Sequence, residues 1–433
     1  MLNPGDDVIV TVEKSAAGGR MIARHEGQVL LVSGVIPGER ASVRIERSEK
    51  RLAFASVTEV LEPSADRREP PSDPRCGGVV FAHIAYPRQV ALKSDIIVDA
   101  FTRIGRIPLG LSAGASAKAG VHVAASPEHD YRMRARFHVR DGRAGFYREG
   151  THEVCDARES RLMAADTIDA VDQAVSALLS AGVRPTTIVV SENIPADERA
   201  MHIDLEDDAA TAAEALGEAV AAARLNGASA RGPVGPLARA GEPTVGDTLL
   251  RLTAGRATDG QVRRRPASFF QGNRFLLAPL VTAVLDVVPM EGSILDLYAG
   301  VGLFSVALAA TGRTPIVAIE GDRDSGADLK LNAAPYATAL RTILGRVEDH
   351  TKPRGKPADT IIVDPPRTGI SKEAMDAVAH HGASRVVYVS CDPPTMARDA
   401  RRLLDAGYAL ASLDGFDLFP NTPHVETLGV FVK

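Results

Sequence analysis

Asp296-Leu-Tyr-Ala-Gly300-Val-Gly302 closes an apolar run that starts at Ser293 and opens into a helical pattern from Leu303. Glycine at a strand-to-helix turn lets a ligand approach the backbone, which a side chain would block. A Gly-x-Gly alone fits a methyl donor, a dinucleotide or a merely structural turn. Glu320 ends the next apolar run, Thr314 to Ile319, where an acidic side chain can take both hydroxyls of a ribose. The dinucleotide fingerprint needs a third glycine, and Phe304-Ser305 offers none at its place. Without room for a pyrophosphate, S-adenosylmethionine is the better fit and NAD the alternative.

Working outward, apolar runs at Thr360 to Val363 and Ser384 to Val389 also alternate with helical segments, which predicts a parallel sheet with helices on both faces. Two of these runs end in chemistry: Ile362-Val-Asp364-Pro-Pro-Arg367 and Val387-Tyr-Val-Ser-Cys391-Asp-Pro-Pro-Thr. Ligands of open parallel sheets bind at the carboxyl ends of the strands, so Gly300, Glu320, Asp364 and Cys391 are expected on one rim. A helix starting at Pro393 or Pro394 would lower the pKa of Cys391 and raise its thiolate fraction. An inert core cysteine is the alternative reading of that position.

Upstream, short β-rich runs (Asp7 to Glu13, Gln28 to Val32, Arg40 to Ile45 and Ala53 to Leu61) broken by glycines predict a small barrel. Glu62 to Arg75, rich in proline, serine and charge, reads as a linker, and His83 to Ile104 has helical spacing. Tyr131 to Tyr147 reads as a hairpin turning at Asp141-Gly142. Its first arm alternates Arg132, Arg134, Arg136, His138 and Arg140 with apolar residues, the pattern of a strand with one basic face. That face is either simply solvated or contacts phosphate, and Arg263-Arg264-Arg265 forms a second basic patch. Ala209 to Arg224 is expected to be a helix, Thr186 to Val190 a strand, and Asn226 to Pro243 a surface loop.

A chain of 433 residues predicts two or three domains. With 45% hydrophobic residues and no apolar stretch near the ~18 needed to span a bilayer, it reads as soluble and, lacking the apolar core of a signal peptide, cytoplasmic. A net charge of −5 argues against non-specific coating of nucleic acid, leaving local basic patches to do any such binding. Cys76, Cys155 and Cys391 are too few and too far apart to suggest a disulfide framework, and no Cys-x-x-Cys pair points to a zinc site.

The chain resembles the RNA (uracil-5-)-methyltransferases, specifically those with an N-terminal TRAM domain of OB type. The resemblance covers essentially the whole chain. It is carried by Phe269-Phe-Gln271, Asp296-Leu-Tyr298-Ala-Gly300-Val-Gly302, Ile319-Glu320-Gly321, Asp364-Pro-Pro-Arg367, Val389-Ser-Cys391-Asp-Pro and Phe419-Pro-Asn-Thr-Pro-His-Val-Glu426, in the family's order. It implies Cys391 as nucleophile and Glu426 as proton-abstracting base. It also implies Gln271, Tyr298, Glu320 and Asp364, beside Gly300 and Gly302, as contacts to S-adenosylmethionine or uracil, and no catalytic metal.

The expected architecture is an OB-type barrel over 1–61, a central α+β domain over 62–255 and a Rossmann-like class I methyltransferase domain over 256–433. The helix over 91–104 is the segment expected to lean on the catalytic domain. The implied substrate is RNA: ribosomal RNA is favoured by the TRAM-like barrel, and transfer RNA is the alternative. A monomer is expected. Rival readings are an inactive RNA-binding homologue and a DNA cytosine-5 methyltransferase.

Many members hold an iron-sulfur cluster on four cysteines, and here the chain departs from the family. Cys76 is retained, but Val79, Pro70 and Ser160 stand at the other ligand positions and Cys155 is out of register, so no cluster is expected and Cys76 reads as a buried remnant. Leu303 and Arg346 also replace a usual asparagine and a small polar residue in the cofactor region.

Overall fold

The structure, a computed structural model, describes residues 2–16, 18–109, 120–351 and 356–433. Five strands, β1 (Asp7–Ser15), β2 (Met21–His25), β3 (Gln28–Ser33), β4 (Arg40–Ser48) and β5 (Leu52–Glu62), close into a barrel of order β1-β2-β3-β5-β4. Alternation turns Val10, Val12, Leu30, Val32, Val43 and Ala55 into its core. The segment read as a linker has irregular backbone but is tied down: Arg67 forks onto the buried Glu39 of the barrel at 2.7 Å and donates to the Gly34 carbonyl.

Helix α1 (Tyr86–Asp99) continues into one π-helical stretch, Ala100–Ile104. Its Ile97, with Ala100 and Phe101, packs on Met396, Ala397 and Leu403 of the C-terminal region. A short strand, β6 (Val123–Ala124), joins the edge of the C-terminal sheet.

Next come β7 (Arg134–Arg140), β8 (Arg143–Tyr147), β9 (Val154–Asp156), α2 (Ala165–Ser180), β10 (Pro185–Glu192), β11 (Arg199–Leu205), α3 (Ala212–Ala222), β12 (Gly227–Gly232) and β13 (Gly235–Gly241). The strands form one sheet, β13-β12-β11-β10-β7-β8-β9, with α2 and α3 packed on one face. The hairpin turns at Asp141-Gly142, both at positive φ (50° and 74°), as a type I′ turn requires.

Two sequence expectations fail in this sheet. The stretch 226–243 is not a loop but the β12–β13 hairpin. Its glycines, which read as loop composition, are needed because a Cβ at Gly227 would lie 2.4 Å from the Glu242 backbone. Cys76 is not a lone remnant either, since it is disulfide-bonded to Cys155. The β8–β9 ladder sets Cys155 opposite Phe146, and a bridge sets Cys76 opposite Arg148. Residues 79 apart in sequence thereby reach a Cα–Cα distance of 6.0 Å, a proximity that spacing alone could not reveal.

The remaining elements are β14 (Val245–Thr248), α4 (Leu249–Leu252), β15 (Gln261–Arg264), α5 (Leu277–Val287), β16 (Ile294–Leu297), α6 (Leu303–Ala310), β17 (Ile316–Glu320), α7 (Arg323–Ala333), β18 (Leu340–Leu344), β19 (Thr360–Val363), α8 (Lys372–Ala379), β20 (Arg385–Ser390), α9 (Pro393–Asp405), β21 (Ala409–Phe416) and β22 (Glu426–Val432). The sheet order is β18-β17-β16-β19-β20-β22-β21-β6. It is parallel from β18 to β20, over the runs that alternate with helices in the sequence, and β22 runs antiparallel to both β20 and β21. Helices α5 and α6 cover one face, while α8, α9 and α1 cover the other. Among the described residues no helix is long and apolar enough to cross a membrane.

Candidate active site

Register alone gathers the reactive groups. Strand β16 pairs Leu297 with Ile319 of β17 and with Val363 of β19, so Gly300, Glu320 and Asp364 leave the sheet side by side. Strand β19 pairs Val363 with Tyr388 of β20, which brings Cys391 to the same rim. The antiparallel strand then matters. Ser390 pairs with Thr427, so the next residues outward, Cys391 and Glu426, face each other. The Thr427 hydroxyl fixes this register by donating to the Ser390 carbonyl at 2.8 Å.

These residues line a cavity of about 730 Å³ together with Gln271 and Tyr298. Gly302 does not line it. It is the N-cap of α6 at φ 93°, where a Cβ would lie 2.9 Å from Leu329 and 3.0 Å from Val306. Gly300, by contrast, faces open space at φ 57°. Its N–H donates to Glu320 Oε2 at 2.7 Å, and the Asp322 N–H donates to Oε1 at 2.6 Å. Both carboxylate oxygens are thus oriented, and each keeps a lone pair for a further donor.

Acid accumulates around this rim. Asp296, fully buried beneath it, is pushed up to about 7 by loss of water, with the nearby Glu320 adding to the shift. Asp364 is also pushed up to about 7, first by burial and then by Asp296, with the Gln271 amide acting against them. Burial lifts Glu426 well above the usual carboxylate range, and Asp364 adds to that. Glu426 Oε1 has no hydrogen-bond partner among the described residues. The Cys391 thiol is pushed up to about 12 by burial and by Glu426, while Arg367 beside it pulls the other way.

This last shift reverses the expectation that the helix lowers the thiol. Helix α9 does begin at Pro393, but Asp392 caps it by accepting the Thr395 N–H at 2.8 Å. The helix terminus is engaged by its own cap, and desolvation wins at Cys391.

The loop from Phe419 to Val425 that delivers Glu426 is gripped from three sides. Gln89 of α1 donates to Asn421 Oδ1 (2.9 Å) and accepts from its N–H (2.8 Å), while Lys93 forms a fully buried ion pair with Asp417 and donates to the Phe419 carbonyl. The Tyr131 hydroxyl donates to the Pro420 carbonyl at 3.3 Å. From the barrel, Gly19 lies so close that a Cβ there would be 2.8 Å from Pro423. None of these partners was legible as functional, because each lies hundreds of residues from the loop it holds. Arg132, Arg134, Arg346, Arg367 and the largely exposed Phe269 also line the cavity. The alternating basic strand was the signal for the first two, and the Asp-Pro-Pro-Arg motif for Arg367.

The TRAM domain family matches residues 2–58, and the family described as tRNA (Uracil-5-)-methyltransferase matches residues 354–433. The chain is 30% identical to the 23S rRNA (uracil(1939)-C(5))-methyltransferase RlmD of Pseudomonas aeruginosa, over 98% of this chain and 93% of that protein. It belongs to the RNA (uracil-5-)-methyltransferase family. An uncharacterized RNA methyltransferase of Streptomyces coelicolor is likewise 30% identical over 98% of this chain and 93% of its own length. The crystal structure of the Pyrococcus abyssi tRNA (uracil-54, C5)-methyltransferase in complex with S-adenosyl-L-homocysteine shares the fold, with a TM-score of 0.76 at 22% identity over 98% of this chain and 99% of that one.

As a member of this family the protein is an S-adenosylmethionine-dependent RNA (uracil-5-)-methyltransferase. Its cavity fits the methyl donor: the side-chain-free approach at Gly300 and the pre-oriented Glu320 suit an adenosyl ribose, and the surplus of carboxylates suits a sulfonium cation. An iron-sulfur cluster does not fit. Val79 and Ser160 are buried with no thiol to offer, and Cys76 is bonded to Cys155.

Proposed function

We propose that the enzyme forms 5-methyluridine in ribosomal RNA, in the cytoplasm, with Cys391 as nucleophile and Glu426 as base. The observation that carries this reading is the β20–β22 register, which faces a lone thiol with a buried carboxylate whose Oε1 has no hydrogen-bond partner among the described residues. Carbon 5 of uracil is a poor nucleophile until a thiolate adds to carbon 6. Cys391 therefore loses its proton to solvent, favoured by the Arg367 guanidinium, and its sulfur bonds to carbon 6 as the electron pair moves to the carbon 4 oxygen. Glu320, Tyr298 and the Gly300 turn would hold S-adenosylmethionine, whose methyl group carbon 5 would take as the electron pair returns from the carbon 4 oxygen, releasing S-adenosylhomocysteine. Glu426 removes the remaining proton from carbon 5, the 5,6 double bond re-forms, and Cys391 leaves as thiolate.

The raised pKa of Glu426 suits this last step, because a carboxylate that binds a proton tightly is a stronger base than an ordinary one. Gln271 and Asp364, at the cavity wall, are placed to bind the uracil edge or the donor. Since a stacked base hides carbons 5 and 6, the target nucleotide lies in a loop or is flipped out.

Ribosomal RNA is favoured by the TRAM barrel and by the RlmD relative, which acts on 23S rRNA. Transfer RNA is the second reading, favoured by the family matched at the C-terminus. Three variants test the chemistry: Glu426→Gln, Cys391→Ala and the double, each incubated with target RNA and S-adenosylmethionine and run on a denaturing gel. Glu426→Gln is expected to accumulate a covalent protein–RNA adduct. Cys391→Ala and the double variant are expected to form none, with donor binding retained. Normal turnover by Glu426→Gln, or an adduct without Cys391, refutes the roles. Mapping 5-methyluridine in ribosomal and transfer RNA from cells with and without the gene decides the substrate.

A further inference from the structure

The basic face of the Tyr131–Tyr147 hairpin is left unused by the chemistry above. Its alternation is realised: Tyr131, Met133, Ala135, Phe137 and Val139 are buried, while Arg136 and Arg140 are exposed and Arg132, Arg134 and His138 half-buried. Arg132, Arg134, Arg136, Arg140 and Arg143 make no ion pair among the described residues. Arg132 and Arg134 bond instead to the Arg134 and Pro266 carbonyls, and Arg140 to the Tyr147 hydroxyl.

Some surface arginines, such as Arg158, Arg184 and Arg401, sit on carboxylates, and others, such as Arg224 and Arg341, stand singly without an ion pair among the described residues; the hairpin gathers its unpaired arginines on one face. The hairpin also sets Arg140 directly opposite Arg143, a like-charge pair that destabilises a ladder. Burial and the neighbouring Arg136 and Arg132 pull Arg134 down to about 10, the sign of positive charge lacking a counter-ion.

Three further features suggest the occupant. Alternate residues of a strand stand ~6.8 Å apart on one face, close to the separation of successive phosphates along an extended nucleic-acid strand. The row ends at Arg134 and Arg132, which line the catalytic cavity. Beside it the rings of His138 and Tyr147 are stacked (centroids 3.7 Å apart, 7° between planes), with His152 edge-on to Tyr147 at 5.3 Å. Such a flat aromatic tier amid arginines is the arrangement on which single-stranded bases stack.

We propose that this β7–β8 face is a track for a single RNA strand that leads the target uridine into the cavity, its phosphates on Arg136, Arg140 and Arg143 and a base on the His138–Tyr147 stack. The proposal rests on RNA as substrate and adds where the flanking strand runs.

The test measures binding of a fluorescein-labelled single-stranded oligouridylate across a salt series. Three full-length variants are compared with the parent protein: Arg136→Gln with Arg140→Gln, a control carrying Arg224→Gln with Arg341→Gln, and Tyr147→Leu. Removing two phosphate contacts is expected to reduce the slope of log affinity against log salt by about 1.4 and to weaken binding about tenfold, with the control unchanged. Tyr147→Leu is expected to weaken binding about fivefold or more at an unchanged slope, because it removes a stacking surface and no charge. Tyr147→Phe keeps the ring and is expected to bind normally, which separates lost stacking from a disturbed fold.

A track double variant no weaker than the control overturns the proposal, as does full affinity in Tyr147→Leu. Methyl transfer by the parent protein onto ribosomal RNA is measured alongside. If the parent methylates RNA while the track variants bind as it does, only the track is wrong; if the parent neither binds nor methylates RNA, the functional reading falls with it.

Discussion

Glu320, Asp364 and Glu426 line the cavity, as do Arg132 and Arg134, and among the described residues no ion pair joins the two sets. All three carboxylates are raised in pKa, and Glu320 is oriented by the Gly300 and Asp322 N–H groups. The arginines lead outward to an exposed strand face. Uncompensated charge inside a protein costs stability and is kept where a ligand of the opposite sign supplies the balance. The acidic wall suits a sulfonium and a moving proton, and the basic wall suits phosphate.

The Arg263-Arg264-Arg265 run makes the contrast sharper, because there two of three neighbouring charges are neutralised and only Arg263 is left exposed, bonded to the Thr244 hydroxyl at 2.7 Å. Arg264 is buried, paired with Asp247 at 2.7 Å and lying over the Phe270 ring at 3.8 Å, and Arg265 is paired with Asp328 at 2.9 Å. The expectation of a second basic patch is therefore cut back to Arg263, since tertiary partners consume the charges of Arg264 and Arg265.

The largest expected effect breaks or upholds this contrast directly. Arg264→Met leaves Asp247 buried without its ion-pair partner, with only the Ile194 N–H on its Oδ1, and is expected to cost about 3–5 kcal/mol in urea unfolding. Arg136→Gln with Arg140→Gln is expected to change stability by no more than about 0.5 kcal/mol. Equal losses would mean that both stretches are structural.

The second prediction concerns pH. In the proposed mechanism Cys391 attacks as a thiolate and its pKa is raised by burial and by Glu426, so kcat/KM is expected to climb with pH, by about tenfold per unit between about pH 6 and about pH 8. RNA affinity on the arginines is expected to stay level over that range, since guanidinium groups keep their charge. A rate profile already flat at pH 6 would show that burial and Glu426 do not hold the thiol proton.

The smallest effect separates the walls by ligand. Glu320→Gln is expected to weaken S-adenosylmethionine binding by about 10- to 100-fold, as loss of charge-assisted hydrogen bonds does, and to leave oligouridylate binding intact. Calorimetry with each ligand checks this, and parallel loss of both would merge the two walls into one site.

Much of the catalytic rim was legible because it is built from local signals. A glycine turn after an apolar run, an acid at the end of the next run, and Asp364 and Cys391 at two more strand ends need only the rule that parallel strands point their carboxyl ends one way. Glu426 was different. Its place depends on β22 running antiparallel into the sheet, and only the family motif marked it. The disulfide between Cys76 and Cys155 and the clamp of Gln89 and Lys93 on the loop before Glu426 left no local trace, because each joins segments far apart in the chain, whereas the β12–β13 hairpin is local but hidden by glycines that read as loop composition.

By itself, then, the sequence determined the elements whose periodicity is short: barrel strands, the alternating basic arm, the glycine turn from strand to helix, and the cysteine at a strand end. Tertiary structure alone decided which charges stay free and which are neutralised. It made Arg264 a core residue and left Arg136 exposed, and it lifted the Cys391 thiol to about 12 where a helix terminus had promised the reverse. The physical reason is that periodicity is set by neighbours a few residues away, whereas solvation and ion pairing depend on every group the fold brings close, whatever its distance along the chain.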